Sequence, residues 1–235
     1  MAKHRSKRYV SAVALVEAGK SYSLPDAVGT VKKFPAPKFD PTVTISFHLG
    51  VDPRKSDQMV RGSVSLPHGT GKNVRVAVFA QGAAAEAAKA AGAEFVGYED
   101  LIAKVQGGFT DFDAAIATPD AMTEVRKIAR VLGPRGLMPN PKTGTVTDDV
   151  AKAVKEVKAG RVDFKLDKNG NVSGPVGKSS FSPEQLIENT QAFVDSVVRA
   201  KPASAKGNYI QSATLAATML PGLPLESATY TKASA

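Results

Sequence analysis

Residues 73–106 read NVRVAVFAQGAAAEAAKAAGAEFVGYEDLIAKVQ. A short apolar run rich in β-branched residues, NVRVAVFA, gives way to an Ala-rich helical stretch. A second short run, EFVGY, is followed by a second helical stretch, EDLIAKVQ. The pattern continues with FDAAIATP at 112–119 and TEVRKIARVL at 123–132. Short strands alternating with helices predict βαβ units, because parallel strands need a crossover of a dozen or more residues between them. The stretch lies between two glycine-containing turns, PHGTGK at 67–72 and KAGR at 158–161. The expectation is a Rossmann-like parallel-sheet domain over residues 68–159, inserted into another domain.

The flanking segments are incomplete alone but complementary together. The first supplies helices around 10–18 and 25–34 and strands TVTISFHLG (42–50) and RGSVSL (61–66). The second supplies strands RVDFKL (161–166) and NVSGPV (171–176), a helix, and a last strand within GNYIQSATLAATM (207–219). That helix is sharply specified, with Ser182 as N-cap, Pro183 at the first helical position and Gln185 closing a capping box. Leu186, Ile187, Phe193, Val194, Val197 and Val198 recur at helical spacing and are expected to face a sheet. Residues 1–67 and 160–235 are thus expected to form one split α+β domain, with 221–235 a mobile tail lacking apolar periodicity. The fold class is α/β with two domains.

Charge follows the same division. The chain has 31 Lys and Arg against 22 Asp and Glu, a net +9. Residues 68–159 hold 12 cations and 11 acids, so a net +8 resides in the flanking segments. A basic excess on one domain points to a polyanion as partner.

Several chemistries are excluded or weakly supported. With no cysteine there is no disulfide, thiol nucleophile or zinc ribbon, and His4, His48 and His68 have no metal-ligand spacing. No metal or cofactor is expected. The apolar run after the basic amino terminus is interrupted by Glu17, too early for a signal peptide or membrane span, so a cytoplasmic protein is expected. GTGKN at 69–73 precedes a strand and has Asn73 where a P-loop needs a hydroxyl. In GPVGKSS at 174–180 the first required glycine is replaced by Val172. The turn QGAAAEA lacks the three-glycine dinucleotide fingerprint. Asp111, Asp113 and Asp120 could serve as acid and base, but their spacing suits capping and loop solubility equally. An enzyme built on the Rossmann-like unit and a general RNA chaperone remain competing classes.

The loop LGPRGLMPNPKTGTV at 132–146 has cations and no acid. It follows a helix with apolar Met122, Val125, Ile128 and Leu132, stopped by Gly133 and Pro134. VRKIARVLGPRGLMPNPKTGTV closely resembles the signature of the bacterial large-subunit ribosomal protein L-one family. MAKHRSKRY, KFDPTV, LGVDPRKSDQMVRGSVSLPHGTGK, FDAAIATPD, GPVGKSSF and KGNYIQSATLAATM agree in the same order, covering nearly the whole chain.

The resemblance implies a non-enzymatic constituent of the large subunit whose split domain binds the stalk region of the ribosomal RNA. It also implies help in releasing deacylated exit-site tRNA, repression of its own operon through its mRNA, and a monomer within the ribosome, with no membrane and no small-molecule substrate. By position, the RNA-binding residues are expected to be Lys38, Phe39, Thr42, His48, Lys168, Lys178, Ser212, Thr218 and Met219. Arg135 and Lys142 form a possible secondary contact loop. Phe39 and Met219 could instead be core residues. One departure stands out: Leu220 occupies the position of a family glycine that would let RNA approach the backbone.

Overall fold

The computed structural model describes residues 5–205, 207–226 and 230, apart from the side chains of Ser56 and Lys142. The chain divides into two compact units, Met1–Gly71 with Val162–Ala235, and Lys72–Arg161.

The first unit begins with α1 (Lys7–Val13), α2 (Leu24–Lys33), β1 (Thr42–Leu49) and β2 (Arg61–Ser65). The expected first helix, around 10–18, lies earlier. Ser6 accepts the backbone N–H of Tyr9 and starts the helix there, a cap that the apolar run alone did not reveal.

The second unit supplies β3 (Val76–Phe79), α3 (Gly82–Ala90), β4 (Phe95–Gly97), α4 (Glu99–Gln106) and β5 (Ala114–Ala117). Then follow α5 (Met122–Val125), a 3₁₀ turn, α6 (Ala129–Leu132) and α7 (Val150–Lys158). Its sheet is wholly parallel, in the order β4-β3-β5. Successive residues of β3 feed two cores: Ala77 and Phe79 pack with α4, α5 and α6 residues, while Val76 and Val78 pack with Ala88 and with Val150 and Val154 of α7. Burial on both faces explains why VAVFA at 76–80 is apolar throughout rather than alternating.

The helix expected over 123–132 is interrupted at Arg126–Ile128 by the 3₁₀ turn. Side chains three apart eclipse in such a turn, which brings buried Val125 and Ile128 to one side. The loop after it closes on itself. The Asn140 N–H donates to Thr145 Oγ1 at 2.8 Å, Arg161 donates to the Thr143 carbonyl, and Val146 forms a parallel bridge with Ala117 of β5.

The chain then returns to the first unit with β6 (Arg161–Lys165), β7 (Asn171–Lys178), α8 (Pro183–Arg199), β8 (Ile210–Ala217) and β9 (Leu223–Leu225). β6 pairs with β2, and a four-stranded antiparallel sheet runs β7-β1-β8-β9. Pro175 is tolerated because β7 is an edge strand and its register with β1 shifts at Val43/Thr44. α8 carries the expected capping box at Ser182 and Gln185 and packs on β7 and β2, while α2 packs on α8, β8 and β9. Phe193 is fully buried, stacked on Phe47 with ring centroids 6.3 Å apart and edge-on to Phe164 at 5.5 Å.

Residues 223–225, expected in a structureless tail, instead pair with β8, and Leu223, Leu225 and Tyr230 are buried. Two apolar residues around Pro224 are too short a run to register as periodic. Residues 227–229 and 231–235 of that expected tail lie outside the described residues.

Gly174 sits under Phe193, where an added Cβ would lie 2.3 Å from the ring. Gly174→Ala should therefore destabilise the chain by about 1–3 kcal/mol, seen as a lower urea midpoint with an unchanged slope. An unchanged midpoint would show that this packing is loose.

Candidate nucleic-acid interface

β1 alternates strictly. Val43, Ile45, Phe47 and Leu49 enter the core, while Thr42, Thr44, Ser46 and His48 point the other way. The neighbouring strands continue that face. Ser46 lies opposite Ser173 of β7 and Thr214 of β8, and His48 lies opposite Asn171 and Ser212. The outward side chains of β1, β7 and β8 include no carboxylate. The result is a patch of hydroxyl, amide and imidazole groups on a rigid sheet, suited to hydrogen-bonding ribose hydroxyls and phosphate oxygens.

The expected site residues fall at the two ends of this face. Thr42 and His48 are six residues apart, about 20 Å along a strand. At the Thr42 end, Lys178 Nζ donates to Thr42 Oγ1 at 3.0 Å, and Thr218 Oγ1 donates to the Thr42 carbonyl at 3.2 Å. Lys38 and Phe39 lead into β1 and are exposed. Their loop is held by Asp40, whose carboxylate accepts the N–H and the hydroxyl of Ser180 at 3.2 and 2.7 Å. Phe39 is 46% exposed and Met219 64%, so neither is a core residue.

Met219 also has φ 63°, the left-handed region that a non-glycine side chain enters at a cost of about 1–3 kcal/mol. It occupies a turn closed by the Leu220 N–H donating to the Ala217 carbonyl at 3.0 Å. Among the described residues it is the one non-glycine with positive φ. Leu220 itself is half-buried and packs against the core of this unit.

At the other end, Asp167, Asn171 and His48 form a chain. Asp167 Oδ1 accepts the N–H groups of Asn169 and Asn171, each at 2.8 Å. The Asn171 amide donates to Asp167 Oδ2 at 3.2 Å, which leaves its carbonyl oxygen 2.9 Å from His48 Nδ1. An amide oxygen at that distance accepts, which makes Nδ1 the donor, and the His48 ring is exposed. Lys168 is exposed in the same turn, between β6 and β7.

Arg135 and Lys142 are not on this face but in the other unit. Arg135 is exposed and donates to Thr110 Oγ1; the side chain of Lys142 lies outside the described residues. Of the acids named as possible acid and base, Asp113 is paired with Lys72 and Arg75. Asp113 is held down at about 2, first by the hydrogen bond from Lys72 and then by those from the Arg75 backbone and side chain, too low for proton transfer near neutrality. Among the described residues no three potential ligands gather as a metal site, and no helix is long and apolar enough to cross a membrane.

Sequence reasoning missed Thr44, Ser46, Asn171, Ser173 and Thr214. The period-two alternation of TVTISFHL was the signal that places the first two beside Thr42 and His48.

A profile of the Ribosomal protein L1p/L10e family matches residues 31–221. The chain is 58% identical over 222 residues to the large ribosomal subunit protein uL1 of Renibacterium salmoninarum, covering 94% of both. It is 56% identical to that of Corynebacterium kroppenstedtii, covering 94% of this chain and 93% of the relative, and 55% identical to that of Corynebacterium glutamicum, covering 94% of both.

The backbone N–H of Asn171 is the main cause holding the Asp167 carboxyl below the usual range. A lowered carboxylate stabilises its partners above its unfolded value of about 3.9 and loses that effect as pH falls through its folded value. Lowering the pH should leave the Asn169 and Asn171 amide signals in place through the range in which an ordinary aspartate protonates, about 3.9, and shift them together only below it. Amide signals that move at higher pH would contradict this chain of bonds.

Proposed function

The chain belongs to the ribosomal protein L1p/L10e family, constituents of the large ribosomal subunit rather than enzymes, and on that premise we propose that its first unit binds the stalk region of the large-subunit ribosomal RNA. The observation that carries this reading is the acid-free open face of β1, β7 and β8, backed by a helix-covered core and set in the segments that hold nearly all the excess positive charge. Hydroxyls along the face bond to ribose and phosphate, and Phe39 and Met219 offer apolar contact to sugars or bases. Lys38, Lys178 and Lys168 contribute charge at the two ends. His48 stands at the Lys168 end, opposite Ser212. The protein works in the cytoplasm, as part of the ribosome.

Recognition of this kind reads a folded backbone and its 2′-hydroxyls, so any RNA that reproduces the fold competes for the same face. A leader in the messenger of its own operon that imitates the stalk is bound in this way, giving autogenous repression. The second unit, with its basic loop around Arg135 and Lys142, is the part offered to exit-site tRNA while the first unit holds the stalk.

The test compares the full chain on the stalk RNA and on a scrambled RNA of equal length, over a salt series. Preference for the stalk that persists at moderate salt is expected. Equal binding that collapses with salt would reduce the interaction to counterion release. Thr218→Val removes the hydroxyl at the Thr42 end, together with its exposed bond to the Thr42 carbonyl, and should weaken stalk binding by about 1–3 kcal/mol, read as a loss of affinity larger than any loss in unfolding free energy. No change in affinity would remove Thr218 from the site.

A further inference from the structure

Next to Thr218 the structure contains a pocket that shares only Met219 with the expected site residues. It is lined by Arg5, Ser6, Arg8 and Tyr9 from the start of the first unit, and by Met219 and Leu220 from the turn after β8. Arg8 Nη2 reaches the Met219 sulfur at 3.8 Å, and its Nε is shielded from solvent without a hydrogen-bond partner. A thioether is a weak acceptor, so the Arg8 fork keeps donor capacity, Nε above all, for a stronger acceptor in the pocket. The Arg5 guanidinium is held over the Tyr9 ring, 4.8 Å from its centroid. Among the described residues neither arginine is in an ion pair.

We propose that this pocket seats one nucleotide of the bound RNA, its phosphate on Arg8 and Arg5 and its sugar or base against Met219 and Tyr9. Two guanidinium forks match phosphate geometry in a way that lysine ammonium groups do not. A flat ring and an exposed thioether beside them give the apolar surface that a splayed nucleotide packs on. The turn that carries Met219 belongs to both places, so the pocket extends the hydroxyl face past its Thr42 end. It also accounts for a methionine being held in a left-handed conformation, because the turn aims its side chain at Arg8. The proposal rests on the RNA-binding reading above.

The test uses the full chain and the stalk RNA, with Arg5→Gln, Arg8→Gln, Thr218→Val and Lys89→Gln measured in parallel. Lys89 is exposed on α3 of the other unit, and its substitution removes the same charge at a distance. Arg8→Gln should weaken binding about tenfold relative to Lys89→Gln. It should also flatten the dependence of log affinity on log salt by about 0.7–0.9, the slope carried by the one phosphate that Arg8 neutralises. Arg5→Gln, at an exposed position where folding is not at stake, should act in the same direction. If both arginine variants match Lys89→Gln while Thr218→Val still weakens binding, the pocket is overturned and the face stands. If the unaltered chain does not prefer the stalk to scrambled RNA, both readings fall together.

Discussion

Burial of one face of the β7-β1-β8 sheet under α2 and α8 is the constraint from which the rest of the first unit follows. Phe193 of α8 fills the space between Phe47 and Phe164, over Gly174, which has no side chain to obstruct it. Once Val43, Ile45, Phe47 and Leu49 are committed to that core, the pleat leaves Thr42, Thr44, Ser46 and His48 no choice but the opposite side. The hydroxyl face is therefore a geometric consequence of the apolar one, and it inherits the rigidity of the packed sheet. A one-residue register slip would exchange the two sets and destroy core and face together. The cross-strand bonds, Ser173 to Ser46 at 2.9 Å and Lys178 to Thr42, then fix individual side chains on a surface whose position is already set.

The second unit is organised by a different rule. Its central strand β3 is buried on both sides and β5 nearly so, while β4 at the edge is half-buried. The glycine- and proline-rich stretch 133–146 belongs here. Its backbone turns are satisfied internally by Asn140, Thr143 and Thr145 and tied to β5 at Ala117, which makes it a fixed elbow.

Much of this was legible in the sequence because the signals were local. Alternation gave β1, the capping box at Ser182 gave the start of α8, and alternating short strands and helices gave the parallel sheet. Other features depended on distant partners. β9 is three residues long and exists because β8 offers it an edge, so no periodicity announced it. The 3₁₀ turn inside 122–132 answers to where Val125 and Ile128 must be buried. The positive φ of Met219 and the partnerless Nε of Arg8 are invisible in sequence, since residues more than 200 positions apart meet there only after folding. Family likeness supplied Lys38, Phe39, Ser212 and Thr218 by position. The structure adds Thr44, Ser46, Asn171, Ser173 and Thr214, which share their face.

The central claim is that stalk RNA lies on the open face of β1, β7 and β8. Its most direct test is a residue-by-residue NMR comparison of the full chain with and without the stalk RNA. The account predicts side-chain and amide changes concentrated at Thr42, Thr44, Ser46, His48, Ser212, Thr214, Thr218 and Met219, with the strands of the second unit unchanged. Changes concentrated instead in the second unit, with this face unaffected, would contradict it.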